Sequence, residues 1–256
     1  MRRCLMVVFV LVGVTLCASA QSADELIAKN IAAKGGLDKI RAIQTVRMTG
    51  NLDAGGFKAA VGQENKRPGQ VRETFSLQGM TSIQAYDGSA GWAVRPFGGK
   101  KDPQLLGEDD LHGLLLDADL DGPLVDYKAK GNTVEYLGMD TVDGDDAYKL
   151  KVTLKNGDII TYYLDPDTCL EIRKEFQVFI RGSIRESVQE MGSYKPVAGV
   201  MFPFSVASGP KGNPDNWATI TYDKIEVNVP LDDAEFAVPA SLKAQGPKKP
   251  ETDKKN

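Results

Sequence analysis

Few side chains in this sequence could do chemistry, and the first is a single histidine, His112. A serine–histidine–acid triad would need it, because imidazole moves protons near neutral pH. A zinc site would need further histidines or cysteines, yet only Cys169 remains beyond the first 20 residues. Since His112 lies on an acidic, helical stretch, we expect it to be a solvent-facing helix residue. We expect Cys169 to be a small buried hydrophobe, not a reactive thiol.

Carboxylates are the other candidates, in clusters at Glu108–Asp110, Asp143–Asp146 and Asp232–Asp233. A glycoside hydrolase holds two carboxyl groups across a cleft, and the sequence alone leaves that reading open. The stretch from Asp140 to Asp146 lacks the spacing of an EF-hand calcium loop and its closing glutamate. We interpret that stretch as an acidic hairpin loop.

No motif of a common catalytic or nucleotide-binding site is present. The chain has no Gly-x-Ser-x-Gly elbow, phosphate-binding loop or dinucleotide fingerprint. Its net charge of −4 leaves no basic excess to attract nucleic acid or an anionic membrane surface. We therefore predict a binding protein, with no catalytic residues, no metal and no cofactor.

The first 20 residues have the form of a secretory signal. Arg2 and Arg3 give a basic start, an apolar run from Leu5 to Leu16 follows, and Ala18-Ser19-Ala20 supplies small residues for cleavage. The apolar run is shorter than the roughly 20 residues that cross a bilayer. We predict a signal peptide over 1–20, cleavage after Ala20, export, and one folded domain over 21–242.

Beyond residue 44, alternation of apolar and polar residues predicts about ten strands with one wetted face, as in an antiparallel sheet. The clearest run is Tyr148–Lys155, followed by Asn156-Gly157, a strong signal for a two-residue hairpin turn. That turn would pair Leu150 with Tyr163. The predicted strands are 45–50, 71–77, 83–86, 91–95, 148–155, 158–164, 169–180, 183–194, 202–208 and 217–227.

Three segments have helical spacing instead. Ser22 caps a first helix over 24–34, with Glu25 completing a capping box, and a second helix covers 37–43. A third falls within 103–119, where Leu111, Leu114, Leu115 and Ala118 share one face. The Lys- and Pro-rich tail, 243–256, has no apolar residue, and we predict that it is disordered.

The three predicted helices are too few to cover the whole face of a curved sheet. We therefore expect an apolar cavity on that face. Each methylene that it buries contributes about 0.8 kcal/mol, which suits acyl chains. We assign the cavity and its lid to Trp92, Val94, Leu111, Leu114, Leu115, Leu150 and Val152. The alternative is that the sheet residues in this set are ordinary core, and the sequence leaves both readings open.

Seven short stretches carry a resemblance to a known family. They are ELIAK at 25–29, GGLDKI at 35–40, YDGSAGW at 86–92, DGPLVDY at 121–127, YKLKV at 148–152, MFPF at 201–204 and VPLD at 229–232. These stretches, and the order in which they follow one another along the chain, resemble the LolA-like family of bacterial outer-membrane lipoprotein-sorting and carrier proteins. The resemblance covers about residues 22–239.

The resemblance implies a mainly β fold, a half-open barrel of about eleven antiparallel strands with lid helices on its concave face. In the best-known carrier of that family one arginine locks the lid. Arg47, Arg72 and Arg95 lie in early strands, and none stands in a motif that identifies it as that residue.

The resemblance also implies binding of the acyl chains of a lipoprotein or lipid and transport across the periplasm. We therefore expect a monomeric periplasmic carrier or chaperone, served by an inner-membrane donor and an outer-membrane receiver. A periplasmic sensor or adaptor that binds a protein partner is the first alternative. A hydrolase with two carboxylates inside the concave face is the second, and a calcium-dependent surface protein is the last.

Overall fold

A computed structural model describes residues 22–180 and 182–243. The predicted signal peptide, and the predicted tail beyond its first residue, lie outside the described residues. Within the described ranges, no helix is both long enough and apolar enough to cross a membrane.

Thirteen strands form one antiparallel sheet that does not close on itself, with β6 and β7 at its edges. The strands are β1 Thr45–Asp53, β2 Lys58–Lys66, β3 Gln70–Leu77, β4 Met80–Tyr86, β5 Gly91–Arg95, β6 Lys100–Leu105, β7 Thr133–Val142, β8 Asp145–Thr153, β9 Ile159–Leu164, β10 Glu171–Ile180, β11 Ser183–Val197, β12 Val200–Pro210 and β13 Ala218–Val227. This is the expected curved, half-open barrel, with 13 strands where we expected about eleven.

In the part of the chain that the structure describes, four α-helices accompany the sheet: α1 Ala23–Ala33, α2 Leu37–Ala42, α3 Glu108–Ala118 and α4 Ala240–Lys243. The predicted capping box is confirmed, because the Glu25 N–H donates to Ser22 Oγ at 3.2 Å and the Ser22 N–H donates to Glu25 Oε2 at 3.0 Å. Gly35 ends α1 with a φ of 118°, and a Cβ there would lie 2.1 Å from the Gly199 carbonyl oxygen. Glycine therefore lets α1 pack directly against the β11–β12 turn.

The three longer helices pack on one face of the sheet, called here the inner face. Leu26 of α1 packs with Leu150 and Tyr162. Ile40 of α2 packs with Val46, and α3 lies across β2, β3 and β4.

The opposite, outer face is covered by apolar side chains at one end and carries charged side chains nearer the centre of the sheet. Val238 and Leu242, in and near α4, pack with Trp92. Further along, Glu64 accepts hydrogen bonds from Arg47 at 2.8 Å and from Arg72 at 3.3 Å.

The β8–β9 hairpin differs from its predicted register by one residue. Leu150 pairs with Tyr162, not with Tyr163. The N–H of Leu154 donates to the Asp158 carbonyl at 2.8 Å, which closes a three-residue loop, and Gly157 takes a φ of 92° in it. Asn-Gly fits such a loop as well as a two-residue one. The extra residue brings Tyr162 to the inner face.

The expectation for Cys169 is also wrong. It lies in the β9–β10 turn with a φ of 57° and is partly exposed. Its carbonyl accepts a hydrogen bond from Asn30 Nδ2 at 2.9 Å, so its backbone, not its thiol, holds α1 to this turn.

Candidate ligand-binding site

A cavity of about 280 Å³ lies between the inner face and the helices. Its walls come from α2, from the end of α3 with the segment after it, and from strands on both sides of the sheet centre. A second cavity, of about 410 Å³, continues along the inner face toward β3 and β4. These volumes are of the order usual for small-molecule sites. The two cavities share Gln63, Asp117, Gln189, Val206 and Tyr222.

One side of the first cavity is apolar. Ile40, Ile43, Val46 and Val200 are buried, pack together and line it. Met48 of β1 adds to the same wall. This side can hold an alkyl chain, because it offers apolar contact in place of water.

The opposite side carries a buried ion pair. Lys34, just after α1, places its Nζ 3.3 Å from Glu171 Oε1, and the Tyr194 hydroxyl donates to the Glu171 carbonyl oxygen at 2.8 Å. Burial by itself raises the pKa of Glu171. The charges of Lys34 and Lys174 outweigh that effect and hold this pKa at about 2, so the carboxylate stays ionised.

Lys174 of β10 lines the same side without such a partner. Its Nζ lies 5.2 Å from the centre of the Tyr162 ring. It makes no hydrogen bond or ion pair with any residue that the structure describes. Burial lowers the pKa of Lys174, and the charge of Glu171 opposes that shift.

Two carboxyl groups meet where the cavities join. Asp117 of α3 lies against Glu73 of β3; Asp117 lines both cavities, and Glu73 lines the second. Burial, and then the charge of Glu73, raise the pKa of Asp117 well above its usual range. Glu73 also accepts a hydrogen bond from Gln84 Nε2 at 2.7 Å. Burial and these two acids raise the pKa of Tyr222 to about 12.

Helix α3 covers the inner face and is held on both sides. Leu114 is buried against Val71 of β3. On the other side, His112 Nδ1 lies 2.8 Å from Asp158 Oδ2 in the β8–β9 loop. The prediction that His112 faces solvent is therefore wrong, because Asp158, fixed by Asn156 Nδ2 at 2.7 Å, offers it a buried acceptor.

A buried arginine ties the helices to the segment after α3. The Arg67 guanidinium donates to Asp121 at 2.6 and 2.8 Å, to the Ile43 carbonyl at 2.7 Å and to the Ile40 carbonyl at 3.2 Å. The hydrogen bonds from Arg67 lower the pKa of Asp121. Of the arginines considered from sequence, Arg47 and Arg72 pair with Glu64 on the outer face, and Arg95 lies 3.9 Å from Asp110.

The described residues hold no group of three or more potential ligands for a metal ion. The hydrolase alternative required two carboxylates inside the concave face, and Asp117 and Glu73 are such a pair. They contact each other directly, whereas glycoside hydrolases hold theirs about 5 Å or more apart. Their spacing does not fit that reaction.

Comparison with known proteins identifies the fold. No family model matches the sequence, and no curated protein matches it either. Among solved structures, a DUF1329 family protein of Desulfovibrio piger superposes with a TM-score of 0.58, at 14% identity over 84% of this chain and 96% of that one. A LolA superfamily protein of Nitrosomonas europaea gives 0.57, at 12% identity over 86% and 99%.

A third structure, from Vibrio parahaemolyticus, is described as an outer membrane lipoprotein-sorting protein domain. It superposes with a TM-score of 0.53, at 11% identity over 83% of this chain and 94% of that one. The chain has a LolA-like fold. At these identities the likeness concerns the fold alone.

In this LolA-like fold α3 covers the inner face, but other residues of α3 face the cavity than those we assigned. Leu111 and Leu114 pack toward Val71, and Leu115 is 46% exposed. Leu116 and Asp117 line the first cavity instead.

The sheet residues that we assigned are placed in cores. Leu150 and Val152 are fully buried in the cluster beneath α1. Trp92 and Val94 lie on the outer face with α4, where Trp92 Nε1 donates to the Phe236 carbonyl at 2.9 Å. None of the four is among the residues that line either cavity.

Sequence reasoning missed the charged side of the cavity. Strand β10 carries charged residues on both faces, with Lys174 on the inner and Glu175 on the outer, so alternation did not show which face is wet. One signal was available. Lys174 and Phe176 are two residues apart in the strand, so their side chains point to the same face, and an apolar residue such as Phe176 indicates the face that turns inward.

Proposed function

We propose that this protein is a carrier that buries the acyl chain of a lipid or lipoprotein in the inner-face cavity. The observation that carries the proposal is the cavity between α2, α3 and the sheet, with a continuous apolar wall on one side. Two solved structures with the same fold are described as a LolA superfamily protein and a lipoprotein-sorting domain, which agrees with it.

Transfer would occur by reversible burial, with no bond made or broken and no cofactor. Release requires α3 to leave the sheet, which breaks the Leu114 contact with Val71 and the His112–Asp158 hydrogen bond. A receiver must then bind the cargo more tightly than this protein does. As parts of the same proposal, the signal over 1–20 exports the domain over 21–242 to the periplasm, where it acts as a monomer between a membrane donor and a receiver.

A pair of matched substitutions tests this function. Met48→Trp fills the apolar wall, whereas Met139→Trp makes the same change on edge strand β7, where the side chain is 49% exposed. We expect wild type and the control to bind a fluorescent fatty acid, and Met48→Trp to lose most of that binding. Equal binding by both variants would place the acyl chain elsewhere and reject the proposal.

One observation favours the second candidate, a sensor or adaptor for a protein partner. Phe179 and Ile184 pair across β10 and β11 and are 63% and 66% exposed. Adjacent exposed apolar residues mark interaction surfaces. Under this alternative, Phe179→Ser with Ile184→Ser would abolish function in the cell while fatty-acid binding stays unchanged.

A further inference from the structure

The first cavity contains two ionisable groups that the fold leaves without an opposite charge in contact. Three of the acidic residues that line it form ion pairs: Glu171 with Lys34, Asp119 with Lys130 and Asp121 with Arg67. Among the described residues, Lys174 and Asp117 stand outside these pairs.

Both groups bring a charge to the cavity that no opposite charge in contact neutralises, which is unfavourable. Lys174 has only the ring of Tyr162 against its ammonium. Asp117 has a second carboxyl group, that of Glu73, beside it instead of a cation, and like charges repel each other. An apolar chain needs neither group, and apolar side chains would stabilise this cavity better. Charges kept at such a cost in a cavity indicate a ligand that meets them.

The signs of the two groups restrict that ligand. A purely anionic head near Lys174 would also lie near Glu171 and the acid pair. A purely cationic head near Asp117 would also lie near Lys174, whose charge acts on Asp117. A head group with one charge of each sign satisfies both sites. The second cavity can accommodate it, because Gln63, Ser82, Gln84 and Ser208 give that cavity a polar wall.

Resting on the proposed function, we propose that the cavity selects amphiphiles with a zwitterionic head, in which Lys174 binds an anionic phosphate and the Asp117–Glu73 pair binds an amine. A phosphoethanolamine head has this chemistry. The chain then lies along the wall formed by Ile40, Ile43 and Val46.

Three ligands with the same palmitoyl chain test the head group: lysophosphatidylethanolamine, lysophosphatidylglycerol and monopalmitoylglycerol, each below its micelle concentration. We expect the ethanolamine lipid to bind at least about tenfold more tightly than the uncharged glyceride, as hydrogen bonds between charged groups allow. Isothermal titration calorimetry of each ligand measures these affinities.

Variants separate the two contacts. Lys174→Met should remove the preference for the ethanolamine lipid over the glyceride, and Lys174→Arg should keep it. Asp117→Asn should remove the preference for ethanolamine over glycerol heads. The control is Lys149→Met, since Lys149 lies 5.4 Å from the Tyr163 ring centre, away from both cavities, although it also pairs with Asp140 at 2.8 Å.

Equal binding of all three ligands by wild type, or an unchanged preference in Lys174→Met, would overturn the head-group proposal and leave acyl-chain binding intact. Absence of binding by all three would reject the carrier function itself.

Discussion

Replacing Arg67 by alanine should destabilise the protein and loosen the wall of the cavity. The substitution leaves the Asp121 carboxylate and the Ile43 carbonyl without their donor, and the Ile40 carbonyl keeps only the Ile43 N–H at 3.3 Å. The Arg67 and Asp121 side chains are 23% and 17% exposed, so water replaces these bonds only in part. Breaking one side of a buried pair costs roughly 3–5 kcal/mol, and with this exposure we expect a loss of about 3 kcal/mol.

Urea unfolding at pH 7 measures this loss, and the chain offers a control of the same residue type. Arg41 lies 2.6 Å from Asp126, but both side chains are about half exposed. Arg41→Ala should therefore cost at most about 1 kcal/mol. We also expect Arg67→Ala to weaken fatty-acid binding, because Ile40, Ile43 and Asp121 line the cavity. A loss no larger than that of Arg41→Ala would refute the reasoning.

Three further predictions concern α3 and the charged side of the cavity. Leu114→Ala should cost about 2–4 kcal/mol in urea unfolding and speed hydrogen exchange in α3, whereas exposed Leu115→Ala should change stability by less than about 0.5 kcal/mol. Because the pKa of Glu171 is held at about 2, its ionised form stabilises the fold above pH 4.5 and that contribution disappears as the pH falls toward 2. Between pH 5 and pH 2 wild type should lose about 3 kcal/mol more than Glu171→Gln, and equal losses would contradict the assignment. Since the pKa of Asp117 is raised, the stability of wild type falls as the pH rises above the unfolded-state value, so Asp117→Asn should raise Tm at pH 7 and leave it unchanged at pH 3.

The elements that depend on neighbouring residues were predictable from the sequence. Ser22 and Glu25 are three residues apart, and both hydrogen bonds of a capping box form between them. The spacing of Leu111, Leu114 and Ala118 predicted α3, whose buried residues are Leu114 and Ala118. Most strands were found by alternation, since each forms part of a sheet with one wetter face.

The strands that were missed have local reasons. Strands β6 and β7 are the sheet edges, and β6 contains Pro103, which an edge strand tolerates because one side of its backbone is unpaired. Strand β2 contains Gly62 and few β-branched residues.

The site was less predictable, because it depends on which face each strand turns inward. Trp92 and Leu150 are both apolar residues of predicted strands, yet Trp92 faces α4 on the outer side and Leu150 faces α1 on the inner side. Likewise, Asp117 and Glu73 are distant in sequence, and only the path of α3 across β3 brings them together.

The most direct test of the carrier function is native mass spectrometry of the protein purified from its own cell, followed by solvent extraction of the bound material. The account predicts one lipid or acylated polypeptide per chain. A clean mass without ligand, together with no uptake of added fatty acids, would contradict the carrier function and favour the sensor or adaptor.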